Sequence, residues 1–231
     1  MGNQDLYLPK LSFEYPYLDE GFHNENWDYG GDAVISNNNG IFLTQNLPSR
    51  RGWLWSIEHL PKESWEVSVD FTVGQGKPGL VGDGFAIWAT KERVTSGPVF
   101  GNRDFFTGLG LFFDTYANSK EKLSFPIVAG MIGDGKTGYD FSSDGLKHSI
   151  GHCDKLFYRN QPTPSTARIT YIRSKLLRVE IKVGNQDFVN CFSQNNVELP
   201  DDIYLGLSAL TGDLSGAFQS LLYLLWPFIL V

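Results

Sequence analysis

Two apolar runs carry oxygen-bearing side chains at their ends. The first is Gly82-Asp83-Gly84-Phe85-Ala86-Ile87-Trp88, and the second runs from Gly108 through Leu111, Phe112, Phe113 and Asp114 to Asn118. An acid or amide at the end of a stiff strand presents a hard oxygen ligand at the rim of a sheet, the donor type that suits a cation such as calcium. Asp114 and Asn118 share a face of an extended strand but lie about 13 Å apart there, at about 3.3 Å per residue. Two oxygens on one calcium ion can be at most about 5 Å apart. Joint binding therefore requires the strand to end near Asp114 and the chain to curl, and the small polar stretch Ala117-Asn118-Ser119-Lys120 permits such a turn. The other reading of the same residues is a buried strand that ends and opens into a loop.

The elements that must hold these residues show a period of two. Trp65, Val67, Val69 and Phe71 alternate with Glu66, Ser68 and Asp70, and Leu177, Val179, Ile181 and Val183 alternate with Arg178, Glu180 and Lys182. Each run reads as a half-buried strand. Further strands are expected over Ala167 to Ile172, Ile127 to Ile132 and Tyr204 to Leu210. Turn-rich stretches separate them: Asn37 to Gly40, Gly74 to Gly79, Gly133 to Lys136 and Gly184 to Asp187. Pro162 to Thr166 reads as a proline-bearing loop, and the aromatic front segment Leu6 to Asp32 as edge strands and loops. Short strands between such turns, with no long helical stripe, predict an all-β antiparallel sandwich.

The chain has 231 residues, enough for one large all-β domain with a sizeable core, and no linker or charge block divides it. A net charge of −7 and the lack of a Lys/Arg cluster argue against nucleic acid and anionic membranes as partners. Cys153 and Cys191 are too few for a disulfide scaffold and lack metal-type spacing; by themselves they fit one bridge or two buried thiols. No leader is readable at the N-terminus. Ala217 to Val231 is apolar but shorter than a bilayer requires. Glu66 and Asp70 share a strand face at a spacing that a pair of glycosidase carboxylates could use, but the stretch reads as a solvated strand face. Gly74 to Gly79 lacks the spacing of a phosphate loop.

Five motifs in order, namely Gly82 to Trp88, Gly97-Pro98-Val99-Phe100-Gly101, Gly108 to Tyr116, Tyr139-Asp140 with Asp144-Gly145, and Thr211-Gly212-Asp213-Leu214-Ser215, resemble the L-type (legume-like) lectins of the early secretory pathway. Those are mannose-binding cargo receptors that cycle between endoplasmic reticulum and Golgi. The resemblance runs from about Leu11 to Ser215 and implies a non-enzymatic, concanavalin-like β-sandwich that uses calcium to bind high-mannose N-glycans of glycoproteins. It places Asp114, the Tyr116 carbonyl, Asn118 and Asp144 on calcium-ligand positions. Asp83, Asn118, Gly212, Asp213 and Leu214 fall on sugar contacts, as does Ser49. Cys153 and Cys191 fall on the family disulfide, which implies a lumenal setting.

Two departures stand out. The family has His where this chain has Phe141, which has no donor or acceptor, so weakened or altered glycan binding is expected. His148 and His152 are out of register to replace it and read as loop residues. Residues 217–231 form an apolar tail unlike the family's last strand, stalk and membrane anchor, although Leu221 to Trp226 could form the last strand. The resemblance thus marks 1–216 as the lectin-like domain. The alternatives are a sandwich that has lost sugar binding and serves protein contacts, or a sandwich glycosidase.

Overall fold

The computed structural model describes residues 7–38, 40–74, 82–118 and 123–212, together with the backbone of 218–221. Two antiparallel sheets of seven strands face each other. Numbered in chain order, the first sheet runs β1 (Trp27–Gly31), β4 (Arg51–His59), β14 (Tyr204–Leu210), β6 (Gly84–Thr90), β8 (Thr107–Asp114), β9 (Ile127–Asp134) and β10 (Gly151–Cys153). The second runs β13 (Val189–Asn195), β12 (Leu176–Lys182), β11 (Ser165–Ile172), β5 (Ser64–Val73), β15 (Phe218–Leu221), β3 (Gly40–Thr44) and β2 (Val34–Ser36). A short strand β7 (Ser96–Val99) turns back on Asn102 outside both sheets. Helical structure among the described residues is confined to three 3₁₀ turns.

The alternating runs occupy the places their pattern demands. Trp65, Val67 and Val69 of β5 pair across from Tyr171, Ile169 and Ala167 of β11, and all six are buried between the sheets. Trp65 and Tyr171 meet at 5.4 Å between ring centroids. On the outward face Glu66 accepts a hydrogen bond from the Thr170 hydroxyl and Asp70 one from the Thr166 hydroxyl, at 2.8 and 2.6 Å. The turn glycines Gly40, Gly135 and Gly184 take φ of +83°, +76° and +53°, the left-handed region that favours glycine. The expected loop over Pro162 to Thr166 is cut short, because Ser165 and Thr166 already pair with Phe71 and Asp70 in β11. Among the described residues the last strand is Phe218–Leu221, which inserts between β5 and β3; of the expected strand Leu221 to Trp226, residues 222–226 lie outside the described residues.

β6 is buried along its whole length, and β8 from Gly108 to Asp114. One face, with Phe85, Ile87, Leu109, Leu111 and Phe113, meets the second sheet. The other, with Ala86, Trp88 and Phe112, is roofed by a second apolar cluster from Val99, Phe100, Phe106 and Tyr139. This roof explains why both runs read as continuous apolar stretches. A buried relay pins it down: the Trp88 indole N–H donates to Ser208 Oγ at 2.8 Å, and the Ser208 hydroxyl donates to the Phe100 carbonyl at 2.7 Å. Ser208→Ala leaves both partners unsatisfied, so a loss of about 1–3 kcal/mol is expected from urea unfolding. An unchanged urea midpoint would show that water or a shifted loop replaces the hydroxyl.

Candidate functional site

The site forms where β6 begins and β8 ends. Because these neighbours are antiparallel, Gly84 pairs with Asp114 and brings Asp83 and Asp114 to one rim. Asp83 follows a cis peptide after Gly82, its N–H donates to the Leu210 carbonyl at 3.1 Å, and its carbonyl accepts from the Thr115 N–H at 3.0 Å and hydroxyl at 2.9 Å. The start of β6, the end of β8 and the end of β14 are thereby laced together around this aspartate.

After Asp114 the chain curls. The Tyr116 N–H donates back to Asp114 Oδ1 at 2.9 Å, and the Asn118 N–H donates to Asp144 Oδ1 at 2.9 Å. The strand thus ends at Asp114 and the chain turns, which both readings of Asp114 and Asn118 allow. Asp144 comes from a turn spanning Phe141–Ser143, capped at its start by Asp140, which accepts the Ser142 N–H. Asp144 itself ends the turn with φ of +52°. That left-handed backbone directs a carboxylate only 1% exposed toward Asn118.

Asp114 is 3% exposed, and no ion pair joins it to a base among the described residues. Burial pushes its carboxyl well above the ordinary carboxylate range; its bond from the Tyr116 N–H opposes this, and the negative charges of Asp144 and Asp83 add to it. The Tyr139 phenol is raised as well, by burial first and then by Asp114, Asp144, Asp140 and Asp83. Negative charge therefore converges on a dry rim. The donor set suits a hard divalent cation: two carboxylates, the amide oxygen of Asn118 and the carbonyl of Tyr116. Among the described residues, no three of His, Cys, Asp and Glu lie close enough to hold an ion by themselves.

Gly212 lies beside Asp83, and Ser49 is tied to Gly212. The Ser49 N–H donates to the Gly212 carbonyl at 3.1 Å, and Thr211 Oγ1 accepts from the Arg50 N–H and donates to the Leu47 carbonyl. A methyl group at Gly212 would stand 3.0 Å from Asp83 Oδ1, so glycine keeps the approach to that carboxylate open. Asp213 and Leu214 lie outside the described residues. A pocket of about 110 Å³ is lined by Asp83, Asp114 and Asn118 together with the apolar residues Pro98, Phe100, Tyr139, Phe141 and Leu210. The apolar lining was not assigned from the sequence, although Gly97 to Gly101 stood out as a motif. His152 is in strand β10 rather than a loop, and neither it nor His148 lines this pocket.

Cys153 and Cys191 are joined in a disulfide between β10 of the first sheet and β13 of the second, with a Cα separation of 5.1 Å. Glu66 and Asp70 sit on the outward face of the second sheet, each held by a threonine.

The model of the legume-like lectin family matches residues 4–225. The chain belongs to the legume-like lectin family. An L-type lectin-like domain-containing protein of Schizosaccharomyces pombe is 41% identical to this lectin over 215 residues, covering 92% of the chain and 69% of that protein. The VIP36-like protein of Homo sapiens is 36% identical over 208 residues, covering 88% of this lectin and 59% of its relative. The lectin thus spans about three fifths of the VIP36-like proteins it matches. The crystal structure of the VIP36 exoplasmic/lumenal domain bound to Ca2+ and Man3GlcNAc superposes with a TM-score of 0.88 at 32% identity, covering 97% of this chain and 90% of that one. The concanavalin-like sandwich expected from the resemblance is the observed fold.

Proposed function

We propose that this lectin binds high-mannose N-glycans of glycoproteins in a calcium-dependent manner, as a cargo-recognition module between endoplasmic reticulum and Golgi. The observation that carries the reading is the single rim where Asp83, Asp114 and Asn118 line one pocket while Asp144 holds the Asn118 backbone. The likeness to a VIP36 domain crystallised with Ca2+ and Man3GlcNAc supports it. Asp114, the Tyr116 carbonyl, Asn118 and Asp144 would hold calcium, which supplies positive charge that offsets the buried acids and fixes Asn118. Asp83 accepts hydrogen bonds from two neighbouring mannose hydroxyls, and the Asn118 amide N–H donates to the sugar. Ser49, Gly212, Asp213 and Leu214 complete the contact. The Cys153–Cys191 bridge fits an oxidising lumen. Among the described residues, no helix is long and apolar enough to cross a membrane.

The test is binding of the purified domain to a mannose oligosaccharide array with calcium and with a chelator. Calcium-dependent binding supports the reading. Binding that ignores the chelator, or none to any mannose oligomer, favours the second reading, a sandwich kept for protein contacts. Phe141, which offers no hydrogen bond at the pocket, is the observation on that side. Release of sugar from mannan would point instead to a hydrolase.

Protons and calcium compete for the same carboxylates, so calcium affinity is expected to fall on acidification. Because Asp114 holds its proton well above the ordinary 3.8, the fall begins above the usual carboxylate range. In ion-free protein the sign for stability is opposite to that of an ordinary ion-paired acid. A carboxyl raised by folding binds more protons folded than unfolded, so its stabilisation is present at acid pH and is lost as pH rises through the raised value. Thermal melts in chelator should therefore decline as pH rises above the ordinary carboxylate range, with calcium restoring most at the upper end. Calcium affinity that stays level on acidification counts against carboxylate ligation.

A further inference from the structure

Between the end of β8 and the start of β9 lie Tyr116 and Asn118, two of the four residues proposed to hold the cation. Both ends of this connection are tied to one side chain. At the outgoing end, the buried Thr115 donates from its N–H and hydroxyl to the Asp83 carbonyl, and its own carbonyl accepts from Arg159 Nη1 at 3.3 Å. At the returning end, Arg159 Nη2 donates to the Phe125 carbonyl at 3.4 Å. A single guanidinium thus bridges the two ends.

The backbone that carries Arg159 is itself seated. Asp154 accepts the Ser124 N–H at 3.3 Å, the Lys155 N–H donates to the Ser124 carbonyl at 3.3 Å, and the buried Tyr158 hydroxyl donates to the Ile127 carbonyl at 3.2 Å. On its other side Arg159 pairs with Val73 across an isolated bridge, and the Asn160 N–H donates to the Val73 carbonyl at 2.8 Å. Arg159 therefore reaches toward the cation site from a strap already fixed to β5 of the second sheet.

A guanidinium presents its donors in a rigid planar fork, so two acceptors bound to it are fixed relative to each other, which a single ammonium does not achieve. These two acceptors are main-chain carbonyls rather than carboxylates. The charge is close to the site all the same: burial raises the Tyr158 phenol, with Asp114 adding to the rise and Arg159 opposing it. A positive charge within reach of a cation site disfavours the cation, so any benefit from Arg159 must come through its hydrogen bonds. We infer that Arg159 is a positioning residue for calcium: by bridging the Thr115 and Phe125 carbonyls it sets the chain so that the Tyr116 carbonyl and Asn118 are presented before the ion arrives. The inference rests on the calcium-lectin reading above and deepens it. Ligands held in advance spend less of the binding energy on ordering the chain.

The test is calorimetric calcium titration of the parent, Arg159→Met and Arg159→Lys, with mannotriose binding at saturating calcium and amide exchange in chelator on the same proteins. Calcium affinity is expected to fall about tenfold in Arg159→Met and about threefold in Arg159→Lys, which keeps the charge but not the fork. Loss of charge alone has the opposite sign and tightens calcium binding. At saturating calcium, mannotriose affinity should return to the parental value, because the ion then fixes Asn118. Exchange of the Tyr116 and Asn118 N–H groups should quicken in Arg159→Met while that of Val67 and Ile169 in the core stays parental. Unchanged or tighter calcium binding by Arg159→Met overturns the inference, as does mannotriose affinity that stays low at saturating calcium. If Arg159→Met does not fold, Arg159→Lys decides: parental calcium affinity overturns the inference, and a loss with parental core exchange supports it. A parent protein that binds no calcium would sink the lectin reading itself, and this inference with it.

Discussion

Asp83→Ala is expected to weaken mannose binding by about a hundredfold or more while calcium binding survives, whereas Asp144→Ala is expected to abolish both. The two acids sit on one rim but do different work. Asp83 lines the pocket beside Gly212, and its backbone is tied to Leu210 and Thr115 by hydrogen bonds that an alanine keeps. What alanine removes is a carboxylate that takes two sugar hydroxyls, at about 1.5–3 kcal/mol for each charge-assisted bond. Calcium affinity should weaken only a few-fold, through loss of a nearby negative charge. Asp144, by contrast, is one of two buried carboxylates in the proposed ion site and accepts the Asn118 N–H. Without it the ion loses a charged ligand and Asn118 loses its anchor. Calcium titration and glycan binding on the same protein samples separate these outcomes. Asp83→Ala protein that still binds mannose, or Asp144→Ala protein with parental calcium affinity, would overturn the assignment of roles.

The second large effect concerns the disulfide. Cys153 lies on β10, a three-residue strand that pairs only with β9 among the described residues, and Cys191 lies on β13 at the edge of the opposing sheet. The bond therefore ties together two edges that no hydrogen-bonded ladder joins. With the cysteines 38 positions apart, the chain-entropy estimate is about 4 kcal/mol. A variant with serine at both positions is expected to lose about 2–5 kcal/mol in urea unfolding and about 4–20 °C in melting temperature. Calcium and mannose binding should persist at temperatures where the variant is folded, because neither cysteine lines the pocket. A loss below about 1 kcal/mol would mean that the packing of Phe192 against Gly130 and Gly151 already holds these edges together.

The acid-rich rim and the outward face of the second sheet show how charge placement separates a site from a surface. Glu66 and Asp70 are acids on a strand, as Asp114 is, yet each is matched to a threonine hydroxyl across the ladder. Asp114 and Asp144 are almost fully buried and close enough to raise the proton affinity of Asp114. A cation relieves that arrangement, whereas the threonine-paired acids need none.

What the amino-acid sequence determined by itself was the class of fold and the family, together with a set of candidate site residues. Trp65 to Phe71 and Leu177 to Val183 alternate because each covers the core on one face only, and that is a local property of consecutive residues. The ordered motifs around Asp83, Asp114, Asp144 and Gly212 identified the family for the same reason, since each is short and contiguous. Only the tertiary structure decided how these pieces meet. The curl after Asp114 is held by Asp144, which accepts the Asn118 N–H, and the seating of Ser49 depends on Gly212, with Arg50 and Thr211, 161 residues apart, bonded beside them. The apolar lining of Pro98, Phe100 and Leu210 was hidden as well, because it belongs to a roof over β6 and β8 and to the end of β14. Such contacts follow from strand register and sheet order, which a local pattern of apolar and polar residues does not encode.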